Sequence, residues 1–224
     1  MSQHSAHQLW LVVIVAIPII IAITLHEAAH GFVARHFGDS TAADMGRVTL
    51  NPLKHIDPFG TVILPALLLL SHTGILFGYA KPVPVDFSAL NHPKRDMIWV
   101  AAAGPVMNLL LAGISVLLII AESHAGVKAG NALFDLMLAS LNINLVLALL
   151  NMVPLPPLDG GRVAIGLLPQ PFSNMLAQLN RFGLLLVLAI FILLPLAGLN
   201  IFQLLVARPV AWIERPLLVF LNAN

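Results

Sequence analysis

The run Leu9–Leu25 contains no charged residue and, as a helix, is long enough to cross most of the hydrocarbon core of a bilayer. Inside lipid every backbone N–H and C=O must find its partner within the segment, so the run has to be a helix. It does not end in an ordinary loop. The residues that close it are Ile23-Thr24-Leu25-His26-Glu27-Ala28-Ala29-His30-Gly31, which place His-Glu-x-x-His at the edge of a membrane span. Residues four apart lie about 40° apart around a helix, so His26 and His30 face the same way. Two imidazoles so placed can hold one zinc ion, and Glu27 beside them is a candidate general base. Ionisable groups at such a position are costly and call for a function.

The remaining composition agrees with a lipid solvent. Of 224 residues, 59% are hydrophobic and only 9% are charged, against roughly 25% charged in a soluble domain. Mean hydropathy is +0.94. The formal charge of +1 comes from basic residues that are scattered rather than clustered, so it gives no sign of nucleic acid, and none is expected as a partner. No cysteine is present, so disulfides, thiolate metal sites and a Cys nucleophile are excluded together. Any metal must be held by His, Asp or Glu. Met1–Gln8 has no Lys or Arg and leads into a span without a small-residue cleavage site, as expected of a retained helix rather than a signal peptide. One membrane domain over residues 1–224 is expected, with a core at about 9–168 and a C-terminal span and tail at 182–224.

Along the chain, the first helix should run to about Phe37 and stop at Gly38-Asp39-Ser40-Thr41. Asp44–Phe59 is polar and turn-rich, and Gly46–Leu50 reads as a short strand. Phe59–Leu70 and Ile75–Ala80 are short apolar pieces, followed by the extended Lys81-Pro82-Val83-Pro84-Val85. Met97–Ala121 and about Ala132–Val153 are the next spans. Pro154–Arg162 breaks the chain sharply before a short helix at Val163–Leu168. Phe182–Val206 is the last span, with Pro195 and Gly198 able to kink or split it. Arg208–Asn222 reads as an interfacial tail. The fold expected is all-α and polytopic: about four transmembrane helices, a re-entrant segment with short β-strands between the first two spans, and a C-terminal interfacial segment. Trp10, Trp99 and Trp212 sit near span ends as anchors. His36 lies on another helix face, and His4, His7, His55, His72, His92 and His124 read as solvated.

Topology follows from parity. If Phe59–Ala80 crossed the membrane, the helix ending near Asp159 would deliver that residue to the face opposite His26 and His30. If Phe59–Ala80 enters and returns, Asp159 emerges on the histidine side. The basic residues favour the return: Arg35, Arg47, Lys54, Lys81, Lys94, Arg95, Arg162 and Arg181 then lie inside, and Lys128, Arg208 and Arg215 outside. The N-terminus is outside, and the site faces the cytoplasm of a prokaryotic cell. A catalytic zinc needs three protein ligands and one open position. Asp159 is the acidic residue that follows a span on the correct side, although it could also cap the helix that begins at Gly160.

Together, His26-Glu27-x-x-His30 and Asn151-x-x-Pro154-x-Pro156-x-Leu158-Asp159-Gly160 resemble the site-2 protease family of intramembrane zinc metalloproteases (peptidase family M50), in a minimal form without a PDZ domain. The likeness extends from about Trp10 to Leu168. It includes Gly104-Pro105-Val106-Met107-Asn108, which is similar to a Gly-x-x-x-Asn/Ser/Gly element of that family. The resemblance implies that His26, His30 and Asp159 bind one Zn2+ and that Glu27 is the catalytic base. It also implies that Asn151 contacts substrate or the developing oxyanion, a role Asn108 can share. The activity implied is hydrolysis of membrane-spanning or membrane-associated peptides near the cytoplasmic face, in regulated intramembrane proteolysis. Arg47–Asn51 or Lys81–Val85 would hold an unwound substrate by strand addition. Two rivals remain. A metal transporter would show paired broken helices in two related halves, which the sequence lacks. A silent scaffold would have no use for Glu27.

Overall fold

The computed structural model describes residues 3–63, 67, 80–127 and 130–223. Among these, three helices are long and apolar enough to cross a membrane: α1 (Gln3–His36), α2 (Pro93–His124) and α3 (Ala132–Asn151). They pack against one another, α2 between the other two in sequence and touching both. The chain is an integral membrane protein.

The α1 helix stops where the sequence says it should. Gly38 takes a left-handed conformation (φ 107°), its N–H donates to Arg35 O, and the N–H of Asp39 donates to Ala34 O. This pair of bonds satisfies carbonyls that the last turn would otherwise leave open. Asp39 is then fully buried and ties the helix end to the chain beyond it. Its Oδ1 accepts from Thr41 N (2.9 Å) and its Oδ2 from Asp86 N (2.8 Å). Asn91 N adds a bond to Phe37 O (2.8 Å). Residues 80–91 are thereby folded back over the C-terminal turns of α1, where Leu90 packs with Ala34 and Val100.

Helices α1 and α2 are antiparallel, since His26 bonds Asn108 while His30 bonds Val100. The segment from 37 to 92 therefore leaves and rejoins the pair at one end. Within it, Pro58–Ile63 forms a π-helical turn. The rest of the expected re-entrant piece Phe59–Ala80 lies outside the described residues, apart from Leu67 and Ala80.

After α3 the chain turns at Met152–Leu158 and enters α4 (Asp159–Leu167), then α5 (Phe172–Leu179). Lys94 Nζ donates to Leu168 O (2.7 Å), which fixes the end of α4 beside the start of α2. The expected span Phe182–Val206 is not one helix. It is helical from Gly183 to Leu196 with a π segment at Ala189–Leu193, and it breaks at Gly198 (φ 84°). Pro195 brings no N–H to the ladder, and Gly198 closes the turn onto Pro195 O, so the helix ends there. A fourth span is available only as the pair Phe172–Phe182 and Leu185–Phe191, bent by 82°. The tail is helical, α6 (Arg208–Ala223). Its Val210 and Leu217, with Val206, join Leu141 and Leu145 of α3 in the core, and Asn142 Nδ2 donates to Glu214 Oε1 (3.0 Å). Trp212 is exposed.

The expected strands are not there. No strand occurs among the described residues, and Gly46–Leu50 is a succession of turn and bend. Its natural partner, Lys81–Val85, is extended but has Pro82 and Pro84, which cannot donate to a ladder. Arg47 meets that segment with its side chain instead of its backbone. Strand addition of substrate loses its basis with them.

Asp39 supplies the fold prediction. Replacing it by Ala strips two N–H groups of their charged acceptor, so Asp39→Ala should cost on the order of 2–4 kcal/mol. Thermal unfolding in detergent should show this loss, with Asp39→Asn losing less.

Candidate metal centre

His26 and His30 project from α1 toward α2, which is built to receive them. Their Nδ1 atoms are both bound: His26 Nδ1 to Asn108 Oδ1 (2.5 Å), and His30 Nδ1 to Val100 O (2.7 Å). A carbonyl can only accept, so His30 carries its proton on Nδ1. For His26 the same holds because the Asn108 amide cannot turn round. Its Nδ2 donates to Asn144 Oδ1 (2.9 Å), whose own Nδ2 donates to Ser140 O (2.8 Å). The chain of amides is anchored on a backbone carbonyl, and its direction is fixed along its whole length. Both Nε2 atoms are therefore left with free lone pairs.

Those lone pairs converge. The two Nε2 atoms are 3.1 Å apart, and Asp159 Oδ2 lies 3.2 Å from His26 Nε2 and 3.4 Å from His30 Nε2. All three residues are buried. With both imidazoles neutral no proton lies between these atoms, and Asp159 Oδ2 has no hydrogen-bond partner. Three buried acceptors facing one another would repel unless a cation sat among them. A tetrahedral zinc with bonds of about 2.0–2.1 Å needs ligand atoms about 3.3–3.4 Å apart. The observed triangle fits that ion.

Close approach makes the triangle possible. A Cβ on Gly104 of α2 would collide with His30 Nε2 and with the His26 ring, so glycine there leaves the room in which the ligands meet. A Cβ on Gly160 would run into the carbonyl of Met152, which shows how tightly α4 is folded under the end of α3. Asp159 does not cap α4. The cap position is Leu158, with no side-chain bond, and the Asp159 carboxylate is turned to the histidines.

The other expected site residues fall as follows. Glu27 accepts from the backbone N–H of Val83 at Oε2 (2.7 Å). Asn108 stands behind His26, where its Oδ1 orients a ligand. Asn151 is half-buried and donates to Leu147 O of its own helix (3.0 Å). Nothing in the sequence alone sets Asn144, Val100 or Val83 apart. Their roles are carried by backbone groups or by an amide that resembles any other polar contact between helices. His55 is buried rather than solvated, donating from Nε2 to Thr49 O (3.0 Å).

The sequence model of peptidase family M50 matches residues 14–137, a stretch that includes His26, Glu27, His30, Gly104 and Asn108. The chain belongs to peptidase family M50. It is similar to the Bacillus subtilis (strain 168) protein named "Putative zinc metalloprotease YwhC", at 37% identity over 196 residues, or 86% of each chain. It is also similar to proteins named "Putative zinc metalloprotease Rip2". For that of Mycolicibacterium smegmatis the identity is 34% over 77% of this chain and 64% of the relative. For that of Mycobacterium tuberculosis (strain H37Rv) it is 31% over 80% and 66%. No solved structure matches the chain. As an M50 peptidase it is a membrane-embedded metalloprotease whose cofactor is zinc, and the His26, His30 and Asp159 group can bind such an ion.

If Asn108 serves by orienting His26, Asn108→Ala should weaken zinc binding about 10- to 100-fold. Competition with a chromophoric chelator reads this directly. Unchanged zinc affinity with a lowered kcat would assign Asn108 to the substrate instead.

Proposed function

We propose that this M50 peptidase cleaves peptide bonds of membrane-spanning or membrane-associated substrates close to the cytoplasmic face, in regulated intramembrane proteolysis. His26, His30 and Asp159 hold the zinc, and Glu27 is the general base. The observation that carries this reading is the buried triangle of Nε2, Nε2 and Oδ2 atoms at 3.1–3.4 Å. When bound, zinc lowers the pKa of water to near 7 and polarises a carbonyl oxygen.

The residues of the chain do the rest. Glu27 accepts the proton of the attacking water and delivers it to the leaving amine. Asn108 and the carbonyl of Val100 keep both imidazoles in one tautomer throughout. Asn151 donates to the developing oxyanion by turning its amide away from Leu147 O, a bond it gives up readily because it is local to one helix turn. A groove of about 500 Å³ between α1 and α2, lined by Leu25, Ala28, Phe32, Leu50, Met107 and Leu110, offers an apolar surface beside the histidine face. That surface suits an apolar substrate segment better than a soluble peptide.

Orientation follows the basic residues: the N-terminus is outside a prokaryotic cell membrane, and the site faces the cytoplasm. The antiparallel packing of α1 and α2 brings both ends of the 37–92 segment to one side, as a return of the chain to that face requires. The bacterial relatives support the compartment.

Glu27→Gln should keep one zinc per chain and lower cleavage of a reconstituted single-span substrate by about 10²- to 10⁴-fold. Zinc analysis and a gel-based cleavage assay on the same preparation check both. Full activity in that variant would remove Glu27 from the mechanism.

A further inference from the structure

Arg47 is a buried cation, 7% exposed, with no carboxylate within ion-pair distance among the described residues. A guanidinium in that setting is costly unless something compensates it. What meets it is backbone. Nη2 donates to Lys81 O (3.0 Å) and to Pro82 O (3.3 Å), while Nε has no partner.

The second of those carbonyls belongs to the peptide group that joins Pro82 to Val83. That peptide is trans, and a trans peptide is planar with its C=O and N–H pointing in opposite directions. The N–H end of the same group donates to Glu27 Oε2 at 2.7 Å. A single rigid unit thus has Arg47 on its oxygen and Glu27 on its nitrogen. A cation at the carbonyl polarises the amide and makes its N–H the stronger donor.

The surroundings hold this unit still. Val83 is buried, and Lys81 N donates to His55 O (2.9 Å). The flanking Pro82 and Pro84 stiffen the segment and offer no competing N–H. Gly31, one turn beyond Glu27, has no side chain, and a Cβ there would press on Val48 and Val83. The segment can therefore lie directly against α1. Only Oε2 of Glu27 is engaged by the protein among the described residues, which leaves Oε1 for a proton.

We propose that Arg47 is a positioning residue for Glu27, acting through the Pro82–Val83 peptide group. The inference rests on Glu27 being the general base. Arg47 touches neither substrate nor metal. It sets the direction of the one amide that holds the base in a single rotamer.

The test uses the zinc-loaded full chain in liposomes with a single-span peptide substrate. Arg47→Gln should retain one zinc per chain and leave KM little changed, while kcat falls about 10- to 100-fold, the scale of a misplaced catalytic group. Arg47→Lys should fall between Gln and wild type. Val83→Pro removes the N–H itself and should lower kcat similarly. The double variant Arg47→Gln/Val83→Pro should cost no more than either alone, because both cut one link. Hydrogen exchange of the Val83 amide, isolated between two prolines, should quicken in Arg47→Gln and in Glu27→Ala without any substrate present. Should Arg47→Gln not fold, Arg47→Lys carries the same comparison. Wild-type exchange and wild-type kcat in a folded Arg47 variant, or fully additive losses in the double variant, overturn the proposal. If the wild type cleaves no membrane peptide, the reading of Glu27 fails, while the Val83 exchange still tests the Arg47 link.

Discussion

Three ligand atoms pointed at one another inside a membrane protein are what the rest of this structure serves. His26 Nε2, His30 Nε2 and Asp159 Oδ2 converge from two helices, and all three residues are buried. Such a cluster is unfavourable alone and favourable around a divalent cation. The folding free energy of this region is therefore coupled to metal binding. The turn at Met152–Leu158, the tight approach at Gly160 and the open space at Gly104 are the means by which α2, α3 and α4 bring the third ligand to the first two.

Around the triangle lies an outer layer of hydrogen bonds that decides which atoms face the ion. The His30 tautomer is set by one backbone carbonyl. The His26 tautomer is set by a relay of Asn108, Asn144 and Ser140 that crosses from α2 to α3. Polar contacts between membrane helices are often worth little individually. Here their value is directional, because reversing any amide would put a proton where the metal must sit. Glu27 is held in a comparable way by the N–H of Val83.

The meeting of His26, His30 and Asp159 is legible in the sequence because it depends on two simple regularities. Helical periodicity puts His26 and His30 on one face, and counting membrane crossings returns Asp159 to their side. The end of α1 was legible for the same kind of reason, since Gly38 and Asp39 are local signals read by local bonds. What the sequence hid depends on partners remote along the chain. Gly46–Leu50 has the composition of a strand, but its neighbour across space is interrupted by Pro82 and Pro84, so no ladder forms. His55 sits in a polar loop and yet is buried by the chain folding over it. Asn108 was visible as a motif residue, but its partner Asn144 looked like any polar residue in an apolar helix. Phe182–Val206 is apolar throughout, and only the combination of Pro195 with a left-handed Gly198 divides it.

X-ray absorption at the zinc edge of the wild-type protein in lipid reads the atoms around the metal. The expected result is a shell of four light atoms at about 2.0–2.1 Å, with outer scattering from two imidazole rings and no more. A shell with one imidazole, or with three, would contradict the assignment of His26, His30 and Asp159 as the ligands.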